Sequence, residues 1–292
     1  MAGLKEIRTR ISSVKTTRQV TSAMKMVSAA KLKKAQDAIL QIRPYADKLH
    51  EILVSISSNI YEVEDLVFIK PRDPEKVLVV LISSNRGLCG GFNLNIAKKA
   101  VNMVNTKYKM QHKLQDVDFL CIGKQGERQV KLRGMNVVRS EHDIYDNFDF
   151  NNVCTLADEI MKDFTDGVYD RVELVYNQFK NAAIQKNATE QFLPVAMVSK
   201  EKKTFSRDYI FEPAREHIVK EVIPKSLKIQ FYKAMIDSHA AEHGARMTAM
   251  HQATDNATEI LKNLMLEYNK VRQATITNEI IEIVSGSEAL RG

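Results

Sequence analysis

The sequence predicts a central α/β domain flanked by two long helices that pair as an antiparallel coiled coil. Apolar residues recur at three- and four-residue spacings over residues 4–60 and again over residues 212–284, which is the pattern of helices that pack through one face. Between them, short aliphatic runs alternate with helical stretches, as in a mostly parallel, Rossmann-like sheet covered by helices. We therefore expect an N-terminal coiled-coil helix at 1–62, a central α/β domain at 75–205 and a C-terminal coiled-coil helix at 212–288.

Polar residues interrupt the seam of the first helix. In this gap the seam positions are held by Arg18, Thr21, Lys25 and Ser28. The aliphatic stripe moves to Val20, Met24 and Val27, so we expect the apolar face to shift around the helix and to return at Leu32. Pro44 lies inside the pattern and predicts a bend, but the seam continues on both sides of it, so the helix is expected to continue.

The central domain alternates strand and helix signals. The strand candidates are Val77–Ile82, Val117–Ile122, Asn136–Arg139 and Val172–Tyr176, with an edge strand at Gln191–Val198 after a polar loop around residues 181–187. The helical candidates are Asn93–Tyr108, Gln125–Leu132 and Val153–Phe164. This alternation predicts parallel strands joined by helical crossovers.

Small and flexible residues, and then leucines, form the seam of the second long helix. It comprises Ala240, His243, Met247, Met250, Thr254, Ala257, Leu261, Leu264, Tyr268 and Val271. Beyond Thr275 the apolar residues no longer continue this seam and instead occupy Ile276, Ile280 and Ile283. The segment 273–287 carries only two charges beside four Ile and one Val, and so much aliphatic surface requires cover. A sleeve formed by another protein is favoured, with a frayed tail folded back on its own chain as the alternative.

Lengths decide how the two helices are arranged. At 1.5 Å per residue the first would be roughly 85 Å long and the second roughly 105 Å, whereas a compact chain of 292 residues has a radius of gyration of about 19 Å. The helices cannot fold inside a globule of that size. We expect them to leave one face of the α/β domain as an antiparallel pair, with the tip of the longer helix beyond the end of the shorter one.

Positive charge is concentrated at the start of the chain. Residues 1–36 contain nine Lys or Arg against the single Glu6 and carry +8, so the remaining 256 residues of this +7 chain sum to −1. Binding to nucleic acid or to an anionic membrane is one explanation. Because no aromatic residue interleaves the basic ones, a helix that faces solvent or an acidic protein is favoured, and no nucleic-acid partner is expected.

Composition also bears on the compartment. The longest aliphatic run, Val77–Ile82, has six residues, far short of the roughly 20 that span a bilayer, so no transmembrane helix is expected. The three cysteines have no paired spacing, which predicts neither a metal cage nor a disulfide framework and favours a reducing compartment. The heptad pattern starts at Leu4 without a preceding apolar core, so we expect neither a signal peptide nor a transit peptide.

Two motifs raise the alternative of a chemical site. Residues 239–243 (His-Ala-Ala-Glu-His) match the pattern of inverted zinc peptidases, but His243 falls on the seam and a third ligand is missing, so no metal is expected. The loop at 87–91 (Gly-Leu-Cys-Gly-Gly) lies between a strand and a helix, where α/β folds bind phosphates. It lacks the dinucleotide-binding and P-loop patterns, which favours a structural turn, and we predict neither a catalytic residue nor a cofactor.

Three stretches occur in the order and with the spacing of one known family. They are KTTRQVTSAMKMV at 15–27, RGLCGGFN at 86–93 and ITNEIIEIVSGS at 276–287. Together they resemble the gamma subunit of F-type ATP synthase, and the resemblance covers essentially the whole chain. It implies a central rotor shaft that couples proton-driven rotation of the membrane c-ring to ATP synthesis or hydrolysis at the alpha and beta catalytic sites, and that itself catalyses nothing.

The resemblance also implies partners and contact residues. The C-terminal tip would turn in an apolar collar of three alpha and three beta subunits, with aliphatic side chains around much of its circumference, and the α/β domain would hold epsilon and the c-ring. Met24 and Lys25 match the position that faces the acidic DELSEED loop of beta. The residues that match contacts with the beta catch loop are Arg272, Gln273 and Thr277, and Ile276 of the same segment is also expected to contact a partner.

The same resemblance implies a peripheral subunit at the cytoplasmic face of a bacterial inner membrane, with membrane association only through the complex. A processed organellar chain stays open as an alternative. Two rival classes also stay open: an α/β enzyme that uses the 87–91 loop, which nucleotide binding by the isolated chain would favour, and a homo-oligomeric coiled-coil scaffold, which a symmetric dimer would favour. We expect neither, and therefore no homo-oligomer.

Overall fold

The structure, a computed structural model, describes residues 3–57, 67–70, 72–145, 148–182, 184–195 and 215–290. The helices are α1 (Leu4–Ser57), α2 (Phe92–Lys107), α3 (Lys109–Leu114), α4 (Lys124–Lys131), α5 (Phe150–Thr165) and α6 (Arg215–Ala289), with a short 3-10 helix at Asp143–Tyr145. The strands are β1 (Val77–Ile82), β2 (Val117–Ile122), β3 (Asn136–Glu141), β4 (Arg171–Phe179) and β5 (Gln185–Leu193). Long terminal helices thus flank a central sheet, as predicted.

The five strands form one mixed sheet in the order β3-β2-β1-β4-β5. β1 pairs in parallel with both β2 and β4, β2 pairs in parallel with β3, and β5 pairs antiparallel with β4 at the edge of the sheet. All six residues of β1 are buried, which is expected of a central strand covered on both faces. The strand order changes direction between β1 and β4, and open α/β sheets bind ligands at the carboxyl ends of such strands.

Alternate residues of β1 supply the two halves of the core. Val77, Val79 and Leu81 pack on one face with apolar residues of α2 and α4. Leu78, Val80 and Ile82 pack on the other face with apolar residues of α5 and with the first turns of α6. The C-terminal helix is therefore part of the domain core before it continues beyond it.

The strand pair at the β5 edge is longer than the sequence predicts. β4 extends to Phe179 and β5 begins at Gln185, where a polar loop was expected. Asn177 pairs with Asn187 and Gln178 with Lys186. These side chains are polar and most of β5 is only partly buried, so they leave no hydrophobic periodicity to detect. The last predicted residues of this strand, 196–198, lie outside the described residues.

Both long helices pass through sites that commonly interrupt helices. α1 continues through Pro44 and α6 through Pro224, as the seam on both sides of Pro44 predicted. α6 also continues through Gly286 to Ala289, one residue beyond the predicted boundary at 288. Gly286 has open space around its Cα, and the Ser-Glu-Ala sequence that follows is compatible with a helix, so glycine costs about 1 kcal/mol there without ending it.

The chain divides into two compact units. The helical unit comprises Met1–Ser28 with Met247–Gly292, and the central unit comprises Ala29–Arg246. Within the helical unit, the Arg8 guanidinium donates to the Tyr268 hydroxyl over 3.0 Å, and the hydroxyls of Thr21 and Thr254 lie 2.9 Å apart. From the first pair to the second, the residue number rises in α1 and falls in α6. The two helices therefore run antiparallel, as predicted.

Candidate interaction surfaces and the loop after β1

The loop after β1 is stabilised by its own side chains. The Asn93 amide donates to Ser84 Oγ over 2.8 Å and to Cys89 Sγ over 3.2 Å, and Asn93 Oδ1 accepts from the Ser84 backbone N–H over 3.0 Å. Leu88 and Gly90 both have positive φ, so the loop turns sharply. These polar groups are satisfied within the loop, which favours the predicted structural turn over a phosphate cradle.

Helix α6 fills the crevice at the carboxyl end of β1. Ala241 and Ala245 pack against Cys89 and Phe92 of the loop and its following helix. Arg246 donates to the backbone carbonyl of Arg86 over 3.0 Å. The position at which α/β sheets generally bind a ligand is thus occupied by the chain's own helix, and this geometry gives no support to the α/β-enzyme alternative.

The cysteine of the loop is buried. Burial raises the pKa of the Cys89 thiol above its usual value, so the neutral thiol predominates and the residue is a poor nucleophile. Cys121 and Cys154 are also buried and free, and burial raises the pKa of Cys121 to about 12. All three cysteines pack as small apolar side chains.

The His-Ala-Ala-Glu-His motif forms a buried cluster whose acidic residue points elsewhere. His239 Nε2 and His243 Nε2 lie 3.1 Å apart, and the His239 ring stacks on Phe148 with centroids 5.0 Å apart. Glu242 pairs with Arg246 over 2.6 Å and so does not join the two imidazoles. Among the described residues, no group of three His, Cys, Asp or Glu side chains is arranged to hold a metal ion.

Burial keeps both imidazoles neutral. Burial is the largest cause and, together with the charges of Lys31 and Arg246, it lowers the pKa of His239 to about 4 and that of His243 to about 3. Lys34 adds to this effect on His239. In the unfolded chain both rings would take up protons below about pH 6.5. Because the unfolded state then binds more protons, the free energy of unfolding falls as the pH drops from about 6.5 towards 4.

We expect acidification from pH 7 to pH 5 to lower the stability of the full chain by about 2 kcal/mol for each buried imidazole. Burial raises the pKa of Glu242, which opposes this loss in part, since its stabilising effect grows as the pH falls. His239→Phe keeps the ring stacked on Phe148 and removes one titrating group, so it should flatten the dependence. Thermal melting at the two pH values measures this.

The control for this prediction is His251→Gln. His251 is an exposed residue of the helical unit, and its replacement should leave the difference in melting temperature between pH 7 and pH 5 unchanged. Equal pH dependence in the wild-type chain and in His239→Phe would contradict the prediction.

The helical unit keeps its seam through the polar gap, contrary to the predicted shift of the apolar face. Ser28 is buried, and Thr21 meets Thr254 of the opposite helix. Val20 and Val27 are more than half exposed. The helices therefore pack through small hydroxyl side chains, whose oxygen atoms bond within the pair, and the valines form an outward-facing aliphatic patch.

The two predicted contact residues of α1 lie beside this patch. Met24 and Lys25 are both half-buried, and Met26 next to them is largely exposed. Thr21 pairs with Thr254, so Met24 lies level with about residue 251 of α6. The distance from there to Arg272 is about 30 Å along the helix, and the two predicted contact sets are therefore separate surfaces.

The four predicted contact residues near the C-terminus lie on one side of α6. Arg272, Gln273, Ile276 and Thr277 are all exposed. At about 100° per residue they fall within an arc of about 140°. The four side chains therefore lie on one exposed face of α6, and their role as partner contacts stays a prediction.

The aliphatic surface of the tip continues that face. Ile276, Ile280, Ile281, Ile283 and Val284 are 47–71% exposed. At about 100° per residue they fall on one half of the helix, while Glu279 and Glu282 fall on the other, where the seam with α1 also lies. Aliphatic side chains thus cover about half of the circumference, less than predicted. Nothing in the described part of the chain covers them.

Sequence reasoning missed the role of Arg246, which contacts the loop after β1. The detectable signal was weak: an acid and a base four residues apart, Glu242 and Arg246, in a stretch of alanine and glycine.

No helix within the described ranges is long and apolar enough to cross a bilayer.

These features define a class of protein in which exposed surfaces of a helix pair, rather than a pocket in the α/β domain, are the candidate functional sites. The sequence model of the family described as ATP synthase matches residues 3–290. Relatives described as ATP synthase gamma chain include those of Flavobacterium psychrophilum, 54% identical over all of both chains, and Chlorobaculum parvum, 42% identical over all of both chains. The chain belongs to the ATP synthase gamma chain family.

Solved structures share the fold. A chain of the Euglena gracilis mitochondrial ATP synthase OSCP/F1/c-ring assembly superposes with a TM-score of 0.68 at 20% identity, covering 98% of this chain and 94% of that one. A chain of the Tetrahymena thermophila mitochondrial central stalk and c-ring superposes with a TM-score of 0.57 at 23% identity, covering 80% of this chain and 99% of that one. At these identities the likeness supports the architecture alone.

Proposed function

We propose that this chain is the central shaft of an F-type ATP synthase and couples rotation of a membrane ring to ATP synthesis or hydrolysis in a surrounding ring of alpha and beta subunits. The observation that carries the proposal is the uncovered aliphatic end of α6, in a chain that matches gamma chains along its whole length. An exposed aliphatic surface of this kind marks a site that a partner covers.

The aliphatic half of the tip suits a sleeve that it must turn within. Apolar contacts are non-directional, so a helix end of this kind can be held centrally without strong preference for one angle. Arg272, Gln273, Ile276 and Thr277 would contact beta on the same side. The polar side chains of Arg272, Gln273 and Thr277 would supply the angle-dependent part of the interaction.

The basic face of α1 calls for an acidic partner. Met24 and Lys25 lie beside the exposed valine patch, in a segment where positive charge exceeds negative charge. An acidic loop of beta would meet both an aliphatic and a cationic group there. Electrostatic complementarity of this kind orients a partner more than it adds affinity.

Coupling would follow from asymmetry. One shaft cannot present the same face to three equivalent beta subunits, so each would be held in a different conformation, and rotation would exchange their nucleotide affinities. The valine patch of α1 and the one-sided tip of α6 are two sources of that asymmetry. The chain itself would contribute no catalytic group and no cofactor site.

The remaining partners follow from the same proposal. The central unit would carry epsilon and the c-ring. In the domain division 1–62, 75–205 and 212–288, the first and last ranges would form the shaft and the middle range the α/β domain at its base. The subunit would lie at the cytoplasmic face of a bacterial inner membrane and reach the membrane only through the complex. Neither nucleic acid nor a second copy of the chain is a proposed partner.

Reconstitution tests this function. We expect alpha, beta, epsilon and membrane-sector subunits of the same organism to show ATP-driven proton pumping in vesicles only when this chain is added. The chain alone should bind no nucleotide and form no symmetric dimer, as calorimetry and sedimentation would show. Full pumping by the complex without this chain would refute the proposal.

A further inference from the structure

Hydrogen bonds fix the positions of the protons on the buried imidazole pair, His239 and His243. Arg246 Nη1 lies 3.4 Å from His243 Nδ1, and because a guanidinium can only donate, His243 Nδ1 accepts. A neutral imidazole has one donor and one acceptor. His243 therefore carries its proton on Nε2 and donates it to His239 Nε2 over 3.1 Å. His239 in turn carries its proton on Nδ1, so Arg246 determines both tautomers.

This arrangement leaves no acceptor for a further proton. A proton on His239 Nε2 would face the Nε2–H of His243, and two donors 3.1 Å apart repel each other. His243 could relieve this contact only by carrying its proton on Nδ1, where it would face the N–H of Arg246. Either route places a donor against the guanidinium. Proton uptake by the imidazole pair and the hydrogen bond from Arg246 therefore exclude each other.

The charges around the imidazole pair also oppose proton uptake. Cationic side chains of α1, of the loop after β1 and of α6 act on the pair or on Glu242: Lys31, Lys34, Arg86 and Arg246. Glu242 pairs with Arg246 over 2.6 Å, so its charge is already matched. Burial raises the pKa of Tyr145, which stacks on His239, and this phenol stays neutral. A proton on the pair would therefore add to an excess of positive charge.

The same guanidinium holds the loop after β1. Arg246 Nη2 donates to the carbonyl oxygens of Arg86 over 3.0 Å and of Gly87 over 3.3 Å, and the side chain is 8% exposed. Because a guanidinium is a rigid plane, it cannot turn away from His243 and keep both bonds to the loop. Its displacement therefore removes the hydrogen bonds by which α6 holds these two carbonyl groups.

We propose that Arg246 and the imidazole pair form an acid-sensitive switch: when the pair takes up a proton, Arg246 is displaced and the loop after β1, residues 84–93, is released from α6. The helix itself stays in the core of the central unit, where it is held by buried side chains that do not titrate, namely Ile223, Leu227, Phe231 and Met235. The switch does not depend on the shaft function. It would make the surface at the carboxyl ends of the strands respond to acidification.

Histidine NMR of the full chain tests the positions of the protons. The nitrogen chemical shifts of the two rings distinguish the neutral tautomers. At pH 7 we expect His243 to carry its proton on Nε2 and His239 to carry its proton on Nδ1. Arg246→Met keeps a side chain of similar length without a donor, so it should release His243 from this tautomer. The same tautomer on both rings of the wild-type chain would overturn the proposal.

Hydrogen exchange of the full chain tests the release of the loop. The reporter is the segment 84–93, in which the Ser84 N–H is buried and donates to Asn93 Oδ1 over 3.0 Å. A ring whose pKa returns to about 6.5 when the loop opens raises the equilibrium constant for opening about 20-fold between pH 7 and pH 5. Burial raises the pKa of Glu242, which opposes this rise in part. We expect exchange at 84–93 to accelerate by about tenfold or more, after correction for the intrinsic effect of pH on amide exchange.

Urea separates this local opening from global unfolding. Local opening exposes little surface, so exchange at 84–93 should hardly change in low concentrations of urea at pH 5. Exchange of β1, which is buried along its whole length, should accelerate steeply with urea. The proposal fails if exchange at 84–93 follows that of β1 both in rate and in urea dependence.

Variants of the imidazole pair identify the titrating groups. His239→Phe with His243→Gln keeps a ring on Phe148 and similar side-chain volumes, but neither new side chain titrates. We expect exchange at 84–93 in this variant to accelerate by less than about twofold between pH 7 and pH 5, and acceleration equal to that of the wild type would refute the switch. If the double variant does not fold, His243→Gln alone should show less than about half of the wild-type acceleration. His112→Gln, at a half-buried position elsewhere in the central unit, is the matched control and should behave as the wild type does.

Discussion

Gly126→Ala is expected to destabilise the chain by about 3 kcal/mol, although alanine is the better helix former. Gly126 lies in α4 against the end of β1, where an added Cβ would lie 2.6 Å from Ser83 Cβ and would also overlap Ser83 Oγ. Overpacking of this kind costs about 1–3 kcal/mol. Ser83 Oγ also accepts a hydrogen bond from the Gly126 N–H over 2.9 Å. The added methyl group would push Ser83 away and break this buried bond, which costs a similar amount of stability.

Gly87→Ala is the matched control. Gly87 lies in the same unit, has no heavy atom within 4 Å of an added Cβ and does not have positive φ. Its replacement should change the stability by less than about 0.5 kcal/mol. Differential scanning calorimetry of the full chain should show a fall in melting temperature of about 5 °C for Gly126→Ala alone. A gain in stability, as helix propensity would give, would contradict the packing described here.

Arg272→Ala combined with Gln273→Ala is expected to weaken coupling about tenfold without unfolding the central unit. Both side chains are exposed on the face of α6 that continues into the aliphatic tip. Their removal costs the chain itself no packing, so a loss of function must come from a partner contact. A tenfold effect corresponds to about 1.4 kcal/mol, within the range of a polar interface residue.

The measurement is proton pumping per ATP hydrolysed in the reconstituted complex, together with circular dichroism of the isolated chain. Glu259→Ala with Lys262→Ala is the control, since these residues are exposed on the same helix and lie before the predicted contact segment. The control should pump as the wild type does. Unchanged pumping by the double variant at positions 272 and 273 would remove these residues from the interface.

The central strand β1 and the paired long helices could be predicted from the sequence, because each depends on a local pattern of apolar residues. The six-residue aliphatic run predicted a strand at Val77–Ile82, and β1 has these bounds and is buried along its whole length. The heptad spacing predicted the antiparallel helix pair, and the seam residues Met250, Ala257, Leu261 and Leu264 are buried. Repeating patterns of apolar residues carry this information because the burial of apolar surface is the main force that drives folding.

Polar regions were predicted less well. The strand β5 was placed too late because Asn187 and its neighbours satisfy backbone pairing without an apolar pattern. The polar gap of α1 was interpreted as a shift of the apolar face, yet Thr21 and Ser28 stay in the seam and Val20 faces outward. Small hydroxyl side chains that bond within a helix pair have no signature that distinguishes them from exposed ones.

The candidate functional surfaces also include features that local sequence patterns predict and features that only the tertiary structure shows. The sequence by itself determined the long helix, the aliphatic tip and the side on which Arg272, Gln273, Ile276 and Thr277 lie, since a regular helix converts spacing into direction. Only the tertiary structure decided that Arg246 bonds to the carbonyls of Arg86 and Gly87, 160 and 159 residues away in sequence. Every residue has a backbone carbonyl, so such a partner cannot be identified until the fold brings it within reach.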